Sequence, residues 1–150
     1  MRRLSLFLLV FMVVGCSGTR PSHLGGVQTA LTPCPDKPNC VSSLATGEKH
    51  KIEPFKGIKG QPLTIASLKA VIDENDSATV IFHSESYLYA EYESAIMGYV
   101  DDVEFLKSAT SPVIQVRSAS RLGYSDLGAN RDRIEAIRAK VSKKNQPLTK

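Results

Sequence analysis

The sequence predicts an α+β fold, a single domain whose antiparallel sheet of three to five strands carries two helices packed on one face. Three observations predict it. Two stretches place apolar residues at helical spacing and have one apolar stripe each, so each has a single face to bury. Between them lie runs that alternate apolar and polar residues, joined by turns too short for crossover helices, which favours antiparallel pairing. The order helix, strands, helix in a chain of 150 residues suits helices layered on a sheet rather than a βαβ alternation.

The chain starts with Arg2 and Arg3, a mostly apolar run from Leu4 to Val14, and Gly15 just before Cys16. A basic start, a short apolar core and a small residue at the cut form the layout of a secretory signal peptide. The run is shorter than the roughly 20 residues that a membrane span needs. The segment resembles a bacterial lipoprotein leader, whose last cysteine is lipidated and becomes the mature N-terminus. Residues 1–15 are therefore expected to leave and Cys16 to carry acyl chains. Several chains hold a protein to a bilayer far better than one. The alternative is an uncleaved N-terminal anchor. Both readings put the domain outside the cytoplasm, membrane-attached and facing the periplasm or cell exterior. Ser17, not Asp, follows the cysteine, and in lipoproteins of enteric-type bacteria that favours the outer membrane.

Residues 17–33 are polar, broken by Pro21 and Gly25-Gly26, and lack an apolar period, so residues 16–33 read as a lipidated cysteine on a flexible tether. The folded domain is expected over 34–146. It opens with Cys34-Pro35-Asp36-Lys37-Pro38-Asn39-Cys40, a stiff loop of two prolines and an asparagine. Residues 44–62 are irregular, with a short edge strand expected at Ile52 to Phe55. Thr64 is a plausible N-cap for Ile65, Leu68, Val71 and Ile72, which share a helical face, so a helix is expected over 65–74. Strands follow at 78–83, 87–94, 99–106 and 113–118. In the second, Leu88, Ala90 and Tyr92 share one face and Tyr87, Tyr89, Glu91 and Glu93 the other. In the third, Asp101 goes with Val103 and Phe105, and Asp102 with Glu104. A cationic helix from about Arg131, with Ile134, Ile137 and Val141 in line, ends the domain.

Loss of Arg2 and Arg3 with the leader lowers the formal charge from +4 to +2. So balanced a chain, with no tryptophan, does not look like a nucleic-acid binder. With Cys16 assigned to lipid, Cys34 and Cys40 form the one remaining pair. In an oxidising compartment they are expected to close a seven-residue disulfide loop. A redox pair lacks the Cys-x-x-Cys spacing, and a metal site of Cys34, Cys40 and His50 matches no common zinc pattern. No metal or cofactor is expected.

Two clusters are candidates for chemistry. The first is acidic: Asp101, Asp102 and Glu104, with Glu91 and Glu93 on the neighbouring strand. Carboxylates in unlike environments do acid–base work, but Arg117 on the next strand offers a cross-strand ion pair instead. The second runs from Arg117 through Ser118, Ser120, Arg121, Tyr124, Asp126 and Asn130 to Arg131, from the last strand into the last helix. Arginines beside a helix start make an anion site. The plainer alternative is that Asp126 or Asn130 caps the helix and the arginines pair with Asp101 or Asp102. There is no Gly-x-Ser-x-Gly elbow, P-loop, Rossmann glycine pattern or His-Glu-x-x-His.

Three segments carry a family resemblance: Cys-Pro-Asp-Lys-Pro-Asn-Cys-Val-Ser-Ser (34–43), Gly-Tyr-Val-Asp-Asp-Val-Glu-Phe (98–105) and Arg-Ser-Ala-Ser-Arg-Leu-Gly-Tyr-Ser-Asp-Leu-Gly-Ala-Asn-Arg (117–131). The chain resembles the family known as domain of unknown function 1499 over essentially everything after the tether. The family more often has Phe than Tyr near position 99. The resemblance implies a small domain, often exported or membrane-attached, with no established reaction, and it points to the same Asp101-Asp102 and Arg117–Arg131 segments. The leading expectation is a binding module for an anionic or polar envelope ligand such as a lipid head group, glycan or cell-wall fragment. A structural or interaction protein of the envelope comes second. A hydrolase using Asp101 or Asp102 as base and Arg121 as clamp comes third.

Overall fold

Thr64 begins the first helix as its residue type predicts. Its hydroxyl accepts the Ser67 backbone N–H at 3.1 Å, and Ser67 Oγ accepts the Thr64 N–H at 3.2 Å, a reciprocal capping box. The computed structural model describes residues 17–57 and 61–144, so the leader and Cys16 lie outside the described residues. Along the chain run β1 (Cys40–Ser42), β2 (Phe55–Lys56), α1 (Ile65–Ile72), β3 (Ala78–His83), β4 (Tyr87–Glu93), β5 (Val100–Lys107), β6 (Val113–Ser120) and α2 (Ala129–Lys144).

All named strand pairs are antiparallel. The sheet order is β1-β6-β5-β4-β3, with β2 pairing beside β1 on the outer edge of β6. The sixth strand is β1, where the sequence predicts no strand. Its Cys40, Val41 and Ser42 pair with Ala119, Ser118 and Arg117. A three-residue strand carries too little alternation to be told from a loop. The single-domain α+β reading otherwise holds, and the face assignments in β4 and β5 are as expected.

One face carries both helices. Leu88, Ala90, Tyr92, Val103, Phe105 and Val116 from the sheet pack on Leu68, Val71, Ile72, Ile134, Ile137 and Val141 from the helices. This layer also takes in Phe55, whose ring meets Phe105 edge-on at 5.3 Å.

The second face is covered as well, by the segment expected to be a free tether. Leu24 and Leu31 are only 7% and 6% exposed, packed on Tyr87 and Tyr89. Two isolated leucines in a polar stretch show no period, so sequence pattern alone misses a strap of this kind. The Cys34–Cys40 disulfide, with Cα atoms 5.7 Å apart, ties the end of that strap to β1 as the cysteine count predicts. It also occupies both sulfurs, leaving no thiolate for a site with His50.

Candidate functional site

Strand alternation sends Asp101 and Asp102 to opposite faces, and each meets a different arginine. Asp102 faces the strap. Arg121, one residue past β6, donates its Nε to both Asp102 oxygens at 3.1 Å and its Nη2 to Oδ1 at 2.7 Å. The same nitrogen donates to the Tyr89 hydroxyl at 3.0 Å and to Glu91. The Tyr89 hydroxyl lies 2.6 Å from Asp102 Oδ1, and Arg20 of the strap donates to Glu91. The Arg121 and Asp102 side chains are 6% and 4% exposed. Burial opposes charge on Glu91, yet hydrogen bonds from Arg20, Tyr89 and Arg121 hold its carboxyl down at about 2. Burial also pushes the Tyr89 hydroxyl above its ordinary range, with the neighbouring carboxylates adding to the effect, so it remains a donor.

Beside this group, Glu104 and Arg117 sit directly opposite across β5 and β6, Nη1 to Oε2 at 3.3 Å, and Tyr87 donates to Glu104 at 2.9 Å. Burial dominates at Glu104 and raises its carboxyl despite Arg117 and Tyr87. The cross-strand pair expected for Arg117 is thus formed with Glu104.

On the helix face, Asp101 meets Arg133, which nothing in the sequence sets apart from the other cations of the last helix. Arg133 donates to Asp101 Oδ2 at 2.5 Å, to Asn130 Oδ1 at 2.7 Å and to Ser118 Oγ at 3.2 Å. Asn130 is fully buried. Its amide donates to Asp126 Oδ2, Ser120 Oγ and the Asn39 carbonyl at 2.8, 3.0 and 3.2 Å. Asp126 accepts the backbone N–H groups of Gly128 and Asn130 at 3.0 and 2.9 Å, which gives the start of α2 its cap. Burial pulls the Asp126 carboxyl upward, but those N–H donors prevail and hold it low. Asn39 donates to the Gly123 carbonyl at 3.0 Å. The disulfide loop, β5, β6 and the α2 start are stitched into one buried network.

The sequence-selected residues therefore come together as two sets rather than one. Asp101, Ser118, Ser120, Asp126 and Asn130 share the helix-side network, whereas Asp102, Arg117 and Arg121 lie under the strap. Arg131 donates to the carbonyls of Lys51 and Lys49 at 2.8 and 3.3 Å, away from both. Tyr124 points outward and is 68% exposed.

A concavity borders the helix-side network at Arg133, between the C-terminal end of α1, the end of β4 and α2. It holds about 460 Å³ and is lined by Asn75, Ser77, Tyr92, Ser94, Arg133 and Lys140, among others. Such a volume suits a small ligand. The Arg133 guanidinium lies 4.8 Å over the Tyr92 ring. The Tyr92 hydroxyl is buried and has no hydrogen-bond partner among the described residues. Burial raises it to about 12 against the pull of Arg133, so it stays protonated. Tyr92 reads in sequence as one more apolar strand residue. Only the packing shows that its hydroxyl has nothing to bond.

Among the described residues, neither this groove nor three other clefts are lined by Asp101, Asp102 or Arg121. No curated protein and no solved structure matches the chain. The family described as Protein of unknown function (DUF1499) matches residues 30–141, a span that includes all three motif segments, both networks (apart from Arg20) and the α2 wall of the groove, and the chain belongs to that family.

Proposed function

We propose that this chain is a lipid-anchored envelope protein whose domain is a binding module for a small polar or anionic ligand, held in the groove of Tyr92, Arg133 and Lys140. The unpartnered Tyr92 hydroxyl carries the reading. A buried hydroxyl without a bond costs stability unless something completes it, and here the phenolic hydrogen calls for an acceptor. Lys140 adds a cation, and Ser77 and Ser94 add hydroxyls to the same lining. Carboxylate, phosphate and sugar oxygens all meet that demand. The anchor rests on the leader-like residues 1–15 and on Cys16.

A hydrolase built on Asp102 and Arg121 has less support, since their polar atoms are engaged with each other and buried beneath the strap. Native mass spectrometry of the protein extracted from its own membranes tests the binding reading. A defined adduct on the wild type that disappears in Tyr92→Phe and Lys140→Ala, with the circular dichroism spectrum unchanged, is the expected result. An adduct that survives both substitutions, or none on the wild type, shifts the weight to an envelope interaction protein.

A further inference from the structure

Six large apolar side chains are exposed at one end of the sheet. The β4–β5 loop presents Ile96, Met97 and Tyr99, and the β6–α2 loop presents Leu122, Tyr124 and Leu127, with Ile96 and Leu127 93% and 96% exposed. The two loops adjoin, because the Arg121 N–H donates to the Val100 carbonyl at 3.2 Å and Asp101 pairs with Ser120. Leu127 has φ +54°, in the left-handed region that glycine favours, yet it holds an apolar side chain out in solvent. The β4–β5 loop carries no charged residue, and the two charged residues of the β6–α2 loop are turned inward, Arg121 onto Asp102 and Asp126 onto the α2 start.

The N-terminal strap enters at this same end. A side chain on Gly18 would come within 3.1 Å of both Arg121 and Leu122. The described chain therefore enters the fold beside these loops, and a membrane attachment at Cys16 has a reach of at most about 7 Å from Gly18. The conclusion is the same whether Cys16 carries lipid or the apolar run 4–14 stays as an anchor.

From this juxtaposition we infer that the domain docks end-on to the bilayer, with Ile96, Met97, Tyr99, Leu122, Tyr124 and Leu127 seated in its interfacial layer. The inference rests on the membrane attachment proposed above, and not on the groove ligand. Anchor and loops act as two signals at one surface, and apolar side chains with tyrosines among them suit the boundary of head groups and acyl chains. With no exposed basic side chain in the loops, seating should be equal on zwitterionic and anionic lipid and indifferent to salt.

The chain has no tryptophan, so Leu127→Trp and Ile96→Trp each introduce a sole reporter at an exposed site. Ser111→Trp places the same indole in the β5–β6 turn at the opposite end. Each full-length variant, expressed in a lipoprotein-processing host, is put into phosphatidylcholine vesicles with and without brominated acyl chains. Docking predicts that the first two reporters shift to the blue and lose most of their emission to bromine, while Ser111→Trp does neither. Vesicle-bound protein in which all three reporters emit as in water overturns docking and leaves the anchor standing. Protein that does not stay with vesicles removes the anchor, and docking falls with it. A blue shift that rises with copies per vesicle and ignores bromine means a second copy covers the loops, which also overturns the inference.

Discussion

Replacing Arg121 by Met separates a structural arginine from a ligand clamp. The guanidinium is 6% exposed and serves Asp102, Glu91 and Tyr89 at once. Its removal leaves Glu91 with Arg20 but strips Asp102 of its cation, with only Tyr89 beside it. Removing one partner of a buried pair costs about 3–5 kcal/mol, because the other charge stays buried and uncompensated. Arg20 partly makes good the loss at Glu91, so about 3 kcal/mol is the better expectation. For a domain of this size that lowers the unfolding midpoint by roughly 10 °C. Thermal unfolding followed by circular dichroism, in one fixed detergent, measures it. The double variant Arg121→Met/Asp102→Asn should recover at least about 1 kcal/mol, since the stranded charge is gone. A single variant within about 1 kcal/mol of wild type that loses a bound adduct would refute this reasoning and return Arg121 to the ligand.

Two further outcomes are open to the same instrument. Reducing the Cys34–Cys40 bond releases a seven-residue loop, for which chain entropy gives about 2 kcal/mol. The midpoint should fall by several degrees while the far-ultraviolet spectrum at 20 °C is kept; an unmoved midpoint rules out a stabilising crosslink. Glu91 sets an acid limit. Its carboxyl is held at about 2 against an ordinary 4.5, so its contribution is complete above pH 4.5 and is lost as pH falls through 2, about 3 kcal/mol in all. Glu104, raised instead, acts with the opposite sign, contributing below its ordinary value and losing that contribution as pH rises. Glu91→Gln should therefore flatten the stability curve between pH 4.5 and 2 and leave the Glu104 limb in place; an unchanged acid limb disproves the assignment.

Much of the fold was legible because it rests on periodicity. The Thr64 cap, the apolar stripe of α1, the alternation in β4 and β5 and the single cysteine pair each need only residue types at fixed spacing. The opposite facing of Asp101 and Asp102 followed from the strand period alone. What stayed hidden depends on tertiary context. Arg133 differs in no way from Arg131 in the sequence, yet one closes a buried network and the other reaches out to loop carbonyls. Leu24 and Leu31 become core only because the second sheet face needs a cover. The same cover explains why arginines and carboxylates that read as an accessible site are buried against one another.

The strap changes what an anchor at Cys16 would do mechanically. A free tether of 17 residues would have an end-to-end distance of roughly 20–25 Å and let the domain swing in any orientation. Instead Gly18 sits against Arg121 and Leu122, Arg20 reaches Glu91, and Leu24 and Leu31 are buried. An anchor one residue before Ser17 therefore pulls on the fold itself, at the end where the apolar loops stand. One wall of the proposed groove lies at that same end, for Ser94 and Ala95 belong to the β4–β5 loop that carries Ile96, and Ala129 is the first residue of α2. End-on docking would thus hold that wall of the groove near the head-group layer, where phosphate and glycan oxygens are the most abundant acceptors. The mass of the adduct decides between sources. A lipid mass ties the groove to the docked surface, and a small soluble mass makes docking and binding separate properties of one domain.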